Sequence, residues 1–176
     1  MSSDSPLDPI WKAFQTTSDC FKVARRAVSD GNLKLLDGTD FLGSSGFETD
    51  WIERSRLISE DLAIVSLWAT FERFLIEYVQ GKAVGLRDAK PHELAVSFYT
   101  KVEEEIENWR LAEILDLFKG YLDPNLIGQA KQIKAHRDWI AHKNPRRQPP
   151  AKIEANRAHI VLSQIIEGIL LAETAS

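Results

Sequence analysis

Apolar residues recur at spacings of three and four along most of this chain, and that spacing predicts α-helices. Runs of alternating apolar and polar residues, which are typical of strands, are weak throughout. The pattern therefore predicts an all-α bundle of about five helices, forming a single domain over residues 9–174. The predicted helices cover residues 9–29, 50–80, 91–110, 124–142 and 151–172, and residues 111–119 form a second helical segment or continue the third helix after a kink.

Residue types known to cap or interrupt helices set these boundaries. Asp8-Pro9 and Asp123-Pro124 each place an aspartate before a proline, a common helix start. The run Asp50–Glu53 is similar to a capping box, and Gly81 is expected just after the end of that helix. The remaining segments lack the helical pattern: residues 1–8 are expected to be disordered, and residues 32–47 to form a loop with an extended part at 33–36.

The second predicted helix is apolar over a very wide arc, which is typical of the central helix of a bundle. Glu72 falls inside this arc when the helix is projected at 100° per residue. A carboxylate in that position needs a positively charged partner. We expect this partner to be Arg137, although extension of the Glu72 side chain to solvent or a local interaction with Arg73 is nearly as compatible with the sequence.

Arg137 itself lies within an apolar stripe of the helix that ends near residue 142. A guanidinium is rarely buried without a partner, so Arg137 should contact a carboxylate or face an interface or a cleft. The stripe consists of Leu126, Ala130, Ile133, Ile140 and Ala141.

Asp138 and His142 are four residues apart on the adjacent side of the same helix, within hydrogen-bond reach. A carboxylate at that position would orient the imidazole and raise its pKa, and the helix C-terminus would act in the same direction. An arginine beside such a histidine suits phosphodiester chemistry, because the arginine stabilises negative charge while the histidine moves protons.

The geometry of one straight helix separates Arg137 from His142 by about 140° around its axis. Two arrangements could bring them together. Either the last helical turn unwinds ahead of Pro145, or a second copy of the helix completes the site across a two-fold axis.

Charge is unevenly distributed along this acidic chain, whose net charge is −4. Residues 131–152 contain seven Lys or Arg and only one acid, Asp138. This concentration indicates an anionic partner, although basic residues also favour helix C-termini and solvated loops. The single cysteine, Cys20, argues against a disulfide and a cysteine-based zinc site, and we expect no metal. With no signal peptide and no membrane-spanning run, we expect a cytoplasmic protein.

Glycine-rich phosphate loops, G-x-S-x-G and H-E-x-x-H are absent, and the remaining motif is R-x4-H at Arg137–His142. This motif resembles the signature of the HEPN family (higher eukaryotes and prokaryotes nucleotide-binding), an Arg and a His near a helix end. The apolar run Leu67–Leu75, with Glu72 inside it, is similar to the upstream helix of HEPN groups from bacterial defence and toxin–antitoxin loci. The resemblance extends from Trp51 to about Ala172.

The resemblance implies metal-independent RNA cleavage in a homodimer, with no cofactor and with RNA as the substrate. Arg137 and His142 would be catalytic together with Asp138, and Glu72 would support Arg137. Asp138 departs from the family pattern, since many active members have Asn there. A cognate antitoxin or nucleotidyltransferase would be a further partner, and a non-catalytic HEPN-like module for dimerisation or for nucleotide or partner binding is the alternative. The expected RNA-binding residues are Lys134, Lys143, Arg146 and Arg147.

Overall fold

The computed structural model describes residues 5–41, 48–142 and 148–174, and it confirms the all-α fold. Within these ranges the chain forms seven α-helices and no β-strand, with short 3-10 turns at Ile106–Asn108 and Phe118–Gly120. The helices are α1 (Asp8–Ser29), α2 (Leu33–Leu36), α3 (Glu48–Leu86), α4 (His92–Glu105), α5 (Leu111–Leu117), α6 (Pro124–His142) and α7 (Ala155–Thr174).

As predicted, the long helix α3 is at the centre of the bundle. It packs against α1, α4, α6 and α7. The surrounding helices contribute their own apolar faces, and that of α7 is the most extensive. Burial of these faces is the main stabilising contribution to such a fold. The fully buried side chains of α3 include Ile64, Leu67, Trp68, Phe71 and Leu75.

Helix α3 extends beyond both predicted ends. Asp50 lies inside the helix and does not cap it, and the helix continues through Gly81 to Leu86. A glycine in a helix costs about 1 kcal/mol relative to alanine. Burial of Ala83 and the ion pair between Lys82 and Glu173 of α7 offset that cost and keep this segment helical.

The N-terminal region is more ordered than expected. Residues 5–8 form a turn, and Leu7 is completely buried in the core instead of belonging to a disordered tail. The segment Leu33–Leu36 is a helical turn and not an extended one, because the side chain of Asn32 caps it by accepting a hydrogen bond from the backbone of Leu35.

The remaining boundaries shift by a few residues. Of the two arrangements predicted for residues 91–119, separate helical segments are observed: the 3-10 turn and extended backbone at Trp109 and Arg110 divide α4 from α5. The last helix begins at Ala155, four residues later than predicted. Among the described residues, no helix combines the length and the hydrophobicity needed to cross a bilayer.

Candidate functional site

Helix α6 carries the predicted site, and it remains α-helical through His142. Its buried residues are spaced by three, from Ile127 through Ala130 and Ile133 to His136. The predicted stripe is therefore only partly correct: Leu126 and Ile140 pack against the core, but Ala141 is exposed. The apolar arc shifts toward the side that includes His136.

Arg137 is partly buried, with 29% of its side chain exposed. Its Nη2 lies 3.9 Å from Oε2 of Glu72, so the predicted ion pair between α6 and α3 is present. The local alternative is not observed, because Arg73 instead binds Glu107 at 2.7 Å. The buried Nε of Arg137 has no hydrogen-bond partner among the described residues. The terminal Nη2 of Arg137 is therefore paired, whereas Nε donates no hydrogen bond to the described residues.

Asp138 does not make the predicted contact with His142. Its Oδ2 accepts a 2.6 Å hydrogen bond from Lys134, and its Oδ1 accepts a 3.1 Å hydrogen bond from Arg137. Burial tends to raise the pKa of Asp138, but hydrogen bonds and charge from Lys134 and Arg137 outweigh that effect and lower it. The carboxylate therefore remains charged and neutralises two cations of α6. The prediction failed because both neighbouring cations are better partners for the carboxylate than an exposed imidazole.

His142 is exposed as the last residue of α6. Because the helix does not unwind before this residue, Arg137 and His142 retain their separation of about 140° around the axis. Of the two arrangements that could bring these side chains together, local unwinding is therefore not observed up to residue 142. Completion by a second copy is the arrangement that the geometry still permits.

Several cations of the basic segment have acidic neighbours from other elements. Lys131 binds Asp116 at 2.6 Å, and Lys152 lies 3.7 Å from Glu60 on α3. Lys134, a predicted RNA-binding residue, is paired with Asp138. The positive field of this part of the surface is therefore weaker than the linear sequence suggests. The other predicted RNA-binding residues, Lys143, Arg146 and Arg147, lie outside the described residues.

His136 is a feature that the sequence analysis did not predict. It is only 6% exposed, and neither ring nitrogen has a hydrogen-bond partner among the described residues. Burial lowers its pKa, the positive charge of Lys152 acts in the same direction, and the carboxylates of Asp61 and Glu60 oppose the change. Its position three residues after Ile133 was the available signal, because that spacing continues the buried row.

No group of three or more His, Cys, Asp and Glu side chains in the described ranges is arranged to hold a metal ion. No protein-family model, curated protein or solved structure matches the chain.

Proposed function

We propose that this protein is a metal-independent endoribonuclease of the HEPN type, acting as a homodimer in the cytoplasm as a toxin or defence effector. The observation that carries the proposal is the arrangement on α6, where a partly exposed Arg137 precedes an exposed His142. The resemblance of the R-x4-H motif and of the Glu72-containing helix supplies the reaction class. A cognate antitoxin or nucleotidyltransferase would restrain such an activity in the cell.

In the proposed reaction the ribose 2′-hydroxyl of RNA attacks the adjacent phosphorus. The P–O5′ bond breaks, leaving a 2′,3′-cyclic phosphate and a 5′-hydroxyl. The attacking 2′-hydroxyl loses a proton and the departing 5′-oxygen gains one; His142 carries out one of these transfers and water the other. Arg137 stabilises the additional negative charge on the phosphate oxygens in the transition state. The 2′-hydroxyl serves as the nucleophile, so this sequence of bond changes is complete without a further reactant.

The two carboxylates around Arg137 define what the substrate must displace. A phosphate that binds Arg137 competes with Asp138 at 3.1 Å and with Glu72 at 3.9 Å. Because Glu72 lies against Nη2 and Asp138 against Nη1, Glu72 can continue to orient the guanidinium while a phosphate replaces Asp138. Asp138 would then act against substrate binding instead of assisting catalysis, unlike the role that the resemblance implies.

The second candidate is a non-catalytic HEPN-like module that uses this face to bind a nucleotide or a protein partner. The ion pairs of Arg137 with both Glu72 and Asp138 favour it, because they give the arginine a structural role. The absence of a contact from Asp138 to His142 in the described structure also leaves the imidazole without the orienting group that a proton-transfer catalyst commonly has.

Cleavage of labelled RNA in the presence of a chelator separates the two candidates. We expect Arg137→Ala and His142→Ala each to reduce the cleavage rate by at least about 100-fold. His92→Ala, an exposed histidine on α4, and Arg157→Ala, an exposed arginine on α7, are the matched controls and should cleave at the wild-type rate.

The variants should remain folded, since both members of the Arg137–Glu72 pair are about one-third exposed. Loss of such a pair costs less than about 1 kcal/mol of unfolding free energy. If wild-type protein cleaves no RNA but binds a nucleotide or RNA through Arg137, the non-catalytic module is correct. Equal activity of wild type and both variants would exclude the proposed catalytic roles.

A further inference from the structure

One face of α3 leaves large apolar side chains in solvent. Trp51, Ile58 and Leu62 are 61%, 57% and 60% exposed. Their separations of seven and four residues place them on one side of the helix, and the exposed Ala69 continues the same row. A soluble protein that exposes a contiguous apolar row of this kind commonly uses it for binding. We refer to these four residues as the α3 stripe.

Helices α1 and α6 lie on the two sides of the α3 stripe. On the α1 side, Leu62 borders a groove of about 290 Å³ whose other walls include Phe14 and Ser66. On the α6 side, Glu72 contacts Arg137. A partner that covers the α3 stripe therefore also reaches the edge of the candidate site.

Two opposite charges, Arg54 and Glu72, flank the α3 stripe on the α6 side, with Asp61 between them. Arg54 and Glu72 are eighteen residues apart, which is five full turns, so they lie on the same line along the helix. They are equally distant from Ala63 along the helix axis, and Ala63 itself lies on the opposite, buried side of α3. The Arg54 guanidinium lies 5.8 Å from the Trp51 ring centroid, and none of the ion pairs found in the described ranges includes Arg54. Glu72 keeps about one-third of its side chain exposed.

We propose that the α3 stripe binds the α3 stripe of a second copy of this chain, with the helices antiparallel and a two-fold axis at the level of Ala63 along the helix. In this register the Trp51 end of one helix lies beside the Glu72 end of the other. Arg54 of each copy then faces Glu72 of the other, because a two-fold axis keeps the same flank of both helices on the same side. This charge complementarity favours a second copy as the occupant.

The same register brings the two α6 helices to one side of the dimer. In each copy Arg137 of α6 lies beside Glu72, which is on that flank of α3. The use of this arrangement for a shared active site rests on the proposed function, whereas the self-association does not.

The oligomeric state of purified full-length protein tests the proposal. We expect wild type to be a dimer by sedimentation equilibrium, and Leu62→Glu or Ile58→Glu to raise the dissociation constant by about 100-fold or more, since two copies lose an apolar contact. Leu94→Glu is the matched control, because Leu94 is 65% exposed on α4 outside the α3 stripe, and it should not change the constant. Circular dichroism should show that all three variants remain folded.

Disulfide trapping tests the register independently of these substitutions. In a Cys20→Ser background, Leu62→Cys should form an intermolecular disulfide in high yield, and Leu94→Cys should not. The proposal would be overturned if wild type were a monomer at all concentrations, or if Leu62→Glu left the dimer intact. It would also be overturned if Leu94→Glu raised the dissociation constant as much as Leu62→Glu. If wild type is a dimer that Leu62→Glu dissociates, but wild type does not cleave RNA, the proposed interface is supported and the proposed function is rejected. The two failures are therefore distinguishable.

Discussion

Oδ1 of Asp138 lies 3.1 Å from Nη1 of Arg137, the residue that precedes it in α6. The other carboxylate oxygen binds Lys134 at 2.6 Å. One acid therefore neutralises two of the cations that RNA would have to use, and it does not orient His142. This relationship makes Asp138 a restraint on anion binding at the candidate site.

Removal of the Asp138 charge should strengthen RNA binding. Asp138→Asn leaves Lys134 and Arg137 without this acidic partner, so both can contact phosphates. We expect tighter binding at low salt and a steeper dependence of log K on log salt concentration, by about 0.7 for each additional contact with single-stranded RNA. Fluorescence anisotropy of a labelled RNA over a salt series measures both quantities.

Asp116→Asn is the control for that experiment. It releases Lys131 and Lys119, two cations whose shared acidic partner is on α5 and does not contact Arg137. The salt dependence should change less than for Asp138→Asn. An equal change in both variants would mean that the gain comes from net charge and not from the candidate site.

Mixing two inactive variants should restore cleavage if the site is shared between copies. A dimer of one Arg137→Ala chain and one His142→Ala chain has one site with both groups intact when Arg137 and His142 act across the interface. Random exchange should then yield about one-quarter of wild-type activity, because about half of the dimers are mixed and each has one of two sites. The initial rate of RNA cleavage after mixing is the measurement.

A site contained within one chain would show no recovery at any mixing ratio. Mixing Arg137→Ala protein with itself after the same exchange procedure is the control for reactivation during handling.

Acid should destabilise the fold through His136. Its folded-state pKa is lowered, chiefly by burial, from the ordinary value of 6.5. The unfolded chain therefore binds the proton more readily, and the unfolding free energy should fall as pH decreases below about 6.5. His136→Leu also removes two ring nitrogens without partners, so we expect it to raise the unfolding free energy by about 1 kcal/mol at pH 7 and by more at pH 5.

Urea unfolding of wild type and His136→Leu between pH 5 and pH 8 measures this effect. His92→Leu is the control, because His92 is exposed on the surface. If the difference in unfolding free energy between wild type and His136→Leu were the same at every pH in this range, a buried neutral imidazole at position 136 would be contradicted.

Two glycines in helices should respond oppositely to alanine. A Cβ on Gly168 of α7 would lie 2.6 Å from Cδ2 of Leu122, whereas a Cβ on Gly128 of α6 would meet no atom within 4 Å. Gly128→Ala should raise the unfolding free energy by about 1 kcal/mol through helix propensity. At Gly168 the steric contact should cancel or exceed this gain.

A double-mutant cycle with Leu122→Ala tests the cause of that difference. In the Leu122→Ala background, Gly168→Ala should become stabilising, with a coupling energy of about 1 kcal/mol or more. Additive effects would show that Leu122 is not the neighbour that limits position 168.

The fold class and the central position of α3 could be predicted from the sequence because helical spacing of apolar residues is a local pattern. Helix boundaries were less accurate. Gly81 is a residue type that commonly ends a helix, so the local sequence predicts a C-terminus there. Burial of Ala83 and the contact of Lys82 with Glu173 of α7 depend on a segment much later in the chain. Such contacts between distant segments have no local signal.

The candidate site shows the same division between local and distant information. The pairing of Glu72 with Arg137 could be predicted because each is a charge within an apolar arc. The contact of Asp138 with His142 was wrong, since the sequence permits several partners at neighbouring helical positions and only the packed structure selects among them. Burial of His136 depended on how α6 rotates against α3, which spacing alone does not determine.

Because α6 is uninterrupted from Pro124 to His142, the guanidinium of Arg137 and the imidazole of His142 are carried by one continuous helix. A single alanine inserted between them would turn the imidazole by about 100° and advance it by about 1.5 Å, while leaving Arg137 beside Glu72. The number of residues between Arg137 and His142 therefore sets the direction in which the end of α6 presents the imidazole. An insertion or deletion in this segment would change that direction without changing either side chain.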